Sequence, residues 1–65
     1  MYTVFDLTHI IWVESWVKIY PQGEEENVLY EGYMGDVPES LYERKVECIC
    51  PCNDYAPFIG IELMD

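Results

Sequence analysis

Basic residues are scarce: three Lys and Arg stand against thirteen Asp and Glu in 65 residues, a formal net charge of −10. That deficit disfavours direct binding to nucleic acid or to an anionic membrane surface, since both need cations to meet phosphates. Long apolar runs are missing too. No stretch approaches the roughly 20 residues that cross a bilayer, and the first residues lack a basic region followed by an apolar core and a small-residue cleavage site. A cytoplasmic protein is therefore expected. The only histidine, His9, has no nucleophile beside it in sequence, so a histidine-based catalytic pair is not indicated. Glycine occurs four times and never as a phosphate-cradling loop. An even, spread cysteine framework is absent as well: Cys48, Cys50 and Cys52 are the three cysteines, clustered and odd in number, a poor basis for structural disulfides.

What the chain does contain is apolar and aromatic surface. Hydrophobic residues make up 51% and aromatics 15%, far too much for a disordered acidic tail. A single folded domain over 1–65 is expected. At this length a domain buries only about 60% of the surface its unfolded chain exposes, so a partner, a metal or self-association would help it.

Thr3 and Asp6 are spaced as a capping box with Asp in the place of Glu, and Val4, Leu7 and Ile11 follow at helical spacing. A short helix over about 3–11 is predicted, with a strand as the competing reading because Thr, Val, Phe, Ile and Trp favour strands. Ser15 to Tyr20 alternates, with Val17 and Ile19 on one side and Trp16, Lys18 and Tyr20 on the other, and reads as a strand ending at Pro21. The Pro21–Asn27 stretch, with Gly23 and Glu24–Glu26, reads as a polar loop, and Val28–Met34 as the partner strand. Asp36, Pro38 and Glu39 carry helix-start chemistry, which predicts a brief helix to about Arg44. Val46–Cys50 and Phe58–Met64 read as the third and fourth strands, separated by a loop over 51–57. Pro21 and Pro51 open loops, and Val28 and Phe58 restart the chain, at one common offset. That faint repeat favours the order α-β-β-α-β-β. The expected class is α+β: four antiparallel strands in two hairpins, two short helices on one face, and Val17, Ile19, Ile59, Ile61 and Leu63 in the core. Trp16 and Tyr20 are then expected on the solvent side.

Four groups of residues bear on function. Cys48, Cys50 and Cys52 leave one side of an extended strand, and with His9 they form a conceivable Cys3His zinc set, although zinc sites usually draw on two short-spaced pairs; buried free cysteines are the plainer alternative. Acid pairs such as Glu14 with Glu31, or Asp36 with Glu39, suggest a minimal metal-dependent nuclease, but pairs are inevitable in so acidic a chain. The third group is aromatic. Trp12, Trp16, Tyr20, Tyr30 and Tyr33 exceed what a thin core needs and are candidates for an exposed interface patch, with core filling or a homo-oligomer seam as the alternative. Glu24, Glu25 and Glu26 are either a solvated loop tip or an imitation of backbone phosphates for a basic partner.

The strings Thr-Val-Phe-Asp-Leu, Trp-Val-Lys-Ile-Tyr, Leu-Tyr-Glu-Gly-Tyr and Asp-Val-Pro-Glu-Ser-Leu, with the final alternating strand, resemble short uncharacterised accessory proteins of phages and integrative elements in gut Firmicutes. The resemblance covers most of the chain and implies a mobile-element setting, in which small acidic proteins often inhibit host defence, anti-CRISPR proteins among them. The Cys-rich strand departs from that pattern. A small interaction module is the leading expectation, one that occludes a basic surface on a nucleic-acid-binding partner by its charge and aromatics, without membrane or direct nucleic-acid contact. A zinc-stabilised structural domain and a minimal nuclease are the alternatives.

Overall fold

Thr3 caps a helix as its spacing with Asp6 predicts: its side chain accepts from the Asp6 amide, and the Asp6 carboxylate accepts from the Thr3 amide. The computed structural model describes residues 2–52 and 58–64, with the side chains of Pro51 and Cys52 outside that description. Helix α1 spans only Val4–Leu7, not the expected 3–11, because Thr8 closes it. The Thr8 hydroxyl donates to the Phe5 carbonyl at 2.6 Å, and the chain leaves in a turn that still lays Ile11 against the core. Replacing Thr3 by Ala removes one half of the capping box and is expected to cost about 1 kcal/mol, read as a lower urea midpoint with an unchanged slope.

Four strands follow: β1 (Trp16–Pro21), β2 (Tyr30–Tyr33), β3 (Val46–Cys52) and β4 (Phe58–Leu63). Two 3-10 turns, Met34–Asp36 and Glu39–Leu41, take the place of the second helix expected from Asp36 to Arg44. The cause is Pro38. A residue before proline is pushed out of the helical region, and Val37 duly sits at ψ 131, with Pro38 itself extended at ψ 142.

The sheet order is β2-β1-β4-β3. Both expected hairpins form, β1 with β2 and β3 with β4, each antiparallel. The sheet is nonetheless mixed, because the hairpins join through β1 and β4, which run parallel with Val17 opposite Ile59 and Ile19 opposite Ile61. An all-antiparallel sheet is thereby corrected. The parallel seam lies at the centre, between the strands that carry the fully buried Val17, Ile19, Ile61 and Leu63, the usual place for parallel strands. Strand β3 carries Pro51, which lacks a ladder donor and is tolerated at an edge.

Val17, Ile19, Ile61 and Leu63 are fully buried with Val4 and Leu7 of α1 and with Met34, Val37 and Val46. Ile59, expected in that set, is only partly buried and packs against it. Tyr20 departs more: it points to the opposite face yet is 6% exposed. Gly60 is the reason. A Cβ at Gly60 would lie 2.9 Å from the Tyr20 hydroxyl, so the missing side chain on β4 gives the neighbouring ring a bed.

Candidate functional site

Helix α1, the Met34–Asp36 turn and the residue after that turn put Val4, Leu7, Met34 and Val37 against the sheet face of Val17, Ile19, Ile61 and Leu63, and Leu41 of the second turn packs partly buried against the same cluster. Strand alternation sends Trp16, Lys18 and Tyr20 of β1, Glu31 and Tyr33 of β2, and Phe58, Gly60 and Glu62 of β4 to the other face. Two thiols join them. A register shift between Val46 and Cys48 inserts an extra residue in β3, so Val46 turns to the core while Cys48 and Cys50 stand opposite Glu62 and Gly60.

At one end of this second face Trp16 and Tyr33 meet edge to face, ring centres 5.2 Å apart at 85°. They remain 40% and 50% exposed, high values for paired large rings. The Trp16 indole N–H donates to Glu31 Oε2 at 3.1 Å, and Lys18 Nζ stands 4.0 Å from the same oxygen. Lys18 also lies over the Phe58 ring, 4.5 Å from its centre. Toward the other end both oxygens of Glu62 are engaged: the Cys48 thiol donates to Oε1 at 3.4 Å, and the Gly23 amide donates to Oε2 at 3.3 Å. Gly23 takes φ +75 to make that turn, which draws the β1–β2 loop toward β4.

The thiol pair is close, with Cys48 Sγ and Cys50 Sγ 3.4 Å apart. The hydrogen bond with Cys50, then desolvation, then the bond to Glu62 push the Cys48 thiol up to about 12 from 9.0. The shift works against a nucleophilic thiolate at Cys48 near neutral pH. On the core side, burial and then the charge of Asp36 raise the Tyr30 phenol above its ordinary value.

The aromatic residues expected to form one patch are dispersed. Trp16 and Tyr33 come together; Tyr20 shares their face but is buried; Tyr30 belongs to the core side and donates its hydroxyl to the Tyr33 carbonyl at 2.7 Å. Trp12 is 67% exposed in the turn before β1. Glu24, Glu25 and Glu26 are exposed in the β1–β2 loop, where they line an open concavity of about 690 Å³ together with Gly23 and Asn27. That loop leaves β1 at Pro21, at the opposite end of the strand from Trp16.

His9 does not approach the thiols. It lies beyond the end of α1, its Nδ1 3.1 Å from the Phe5 carbonyl and its ring 4.8 Å from the Phe5 ring, on the side of the sheet opposite Cys48 and Cys50. The Cys52 side chain lies outside the described residues, and among those described no three His, Cys, Asp or Glu side chains are grouped to hold a metal ion. Lys18, Phe58 and Glu62 were not singled out from sequence, and Glu31 only as an acid pair with Glu14, although the hairpin register that sets Trp16 opposite Tyr33 also sets Lys18 opposite Glu31. Searches against protein-family models, curated proteins and solved structures found no match to this chain.

Proposed function

We propose that this chain is a protein-interaction module that lays its second sheet face and flanking acidic loop on a basic, nucleic-acid-binding surface of another protein, inhibiting that partner by occlusion. The observation that carries this reading is the half-exposed Trp16–Tyr33 pair beside Glu31, on a sheet face that no described helical element covers. Exposed paired aromatics supply contact area at low entropic cost, and a molecule of charge −10 favours a cationic counterpart. Lys18 lies on this face, where Glu31 and Phe58 already hold it. A second copy is the poorer fit, because two bodies of −10 repel one another. The resemblance to phage accessory proteins points to a host-defence protein as the partner and to an anti-CRISPR type of inhibition.

Pull-down from the native host at low and high salt tests the proposal, with duplex DNA as competitor. Proteins held at low salt should be nucleic-acid binders, released both by salt and by DNA. Changing Glu24, Glu25 and Glu26 together to Gln should slow association with the isolated partner about 10-fold while leaving dissociation nearly unchanged. A complex indifferent to salt and to DNA sinks the reading.

A further inference from the structure

We infer that the corner formed by Trp16, Tyr33 and Glu31 is a seat for an arginine side chain of the basic partner, a preference for guanidinium over ammonium built into the face. This rests on the interaction-module reading above and sharpens it to a ligand chemistry. Two rings at 85° present two walls, and both are about half open to solvent. Beside them the Glu31 carboxylate is anchored by the indole N–H at 3.1 Å. A guanidinium is flat, weakly hydrated and carries its donors in a fork, so it can stack on an aromatic wall and still donate to a neighbouring carboxylate. A lysine ammonium is compact and strongly hydrated, and gains less from the wall.

Lys18 is the internal counterweight. Its Nζ is 4.0 Å from Glu31 Oε2, a loose ion pair, and it has a second resting place over Phe58 at 4.5 Å. An entering guanidinium takes the carboxylate, and Lys18 stays on the Phe58 ring. The positive charge of Lys18 opposes entry, so removing it should favour the ligand. Glu62 on the same face has both oxygens engaged, by Cys48 and Gly23, whereas Trp16 and Lys18 both hold Glu31 through Oε2, which makes Glu31 the better acceptor.

The test is calorimetric titration of the intact protein with nona-arginine and with nona-lysine peptides at low salt. Nona-arginine should bind about 10-fold tighter. Trp16→Leu and Glu31→Gln should each bring the two peptides to within about 2-fold of each other by weakening arginine binding. Lys18→Gln should tighten arginine binding about 3-fold. Circular dichroism checks that each variant is folded, and Tyr33→Leu replaces Trp16→Leu if that variant unfolds. Equal affinity for the two peptides in the unaltered protein, or a preference that survives Trp16→Leu and Glu31→Gln, overturns the arginine seat and leaves the basic-partner reading standing. Failure of both peptides to bind overturns both. A dimer in sedimentation whose contact buries Trp16 also removes the seat, since a second copy then fills the corner.

Discussion

Ile61→Ala is expected to unfold the domain at 25 °C or to bring its urea midpoint close to zero. Ile61 is fully buried on β4, with Ile19 of β1 opposite it on one side and Ile49 of β3 on the other. It therefore joins the two hairpins where they share their core. Truncating a buried Ile to Ala removes transfer free energy and leaves a void, together about 2–5 kcal/mol. A domain this small commands only about 3–5 kcal/mol from its core, so the loss is comparable to the whole stability. Ile49→Ala is the matched comparison. Its side chain is 43% exposed at the sheet edge, and its truncation should cost no more than about 1 kcal/mol. Urea titration followed by tryptophan fluorescence checks both, and an Ile61→Ala protein within about 1 kcal/mol of the original would mean that the β1–β4 seam does not close the core.

Local chemistry explains why the strands and the first cap were legible and the seam was not. Thr3 with Asp6, the alternation across Val17 and Ile19, and the pairing of Pro21 with Gly23 each act within a few residues, so spacing alone reveals them. Which strands of two hairpins meet depends on how both bury their apolar sides at once. Pro51 held a usable cue, since a strand containing it belongs at an edge, and β3 is at an edge. Pro38 was ambiguous: it suits the first turn of a helix, but it also forces Val37 extended, and here the second effect wins.

The candidate face was legible in composition and hidden in arrangement. Excess aromatics signalled exposure correctly for Trp12, Trp16 and Tyr33 and wrongly for Tyr20, whose burial depends on a glycine in a strand distant in sequence. Cys48 and Cys50 lie on one side of β3, as alternation predicts. That this side turns away from Val46, and from His9, follows from a bulge that strict alternation does not reveal.

Cys48 should be alkylated by iodoacetamide at pH 8 on the order of 30-fold more slowly in the folded protein than in urea. Raising a thiol from 9.0 to about 12 cuts its thiolate fraction about a thousandfold, while the more basic thiolate regains about 30-fold in intrinsic reactivity. Fragment-ion sequencing separates Cys48 from its neighbours, and Cys50→Ser should return much of the rate, because the bond with Cys50 is the largest cause of the shift. Glu62→Gln should return a smaller share. The same shift carries a sign for stability. Folding favours the protonated thiol, so this contribution is complete below about pH 9 and is lost as pH rises through about 12. Tyr30, raised by burial and by Asp36, loses its own contribution in the same direction above its ordinary value of 10.0. Unfolding should therefore become easier from pH 9 upward, and Cys48→Ala should flatten the first part of that slope. Rapid labelling of Cys48 at pH 8 in the folded state would show that its side chain is not held between Cys50 and Glu62.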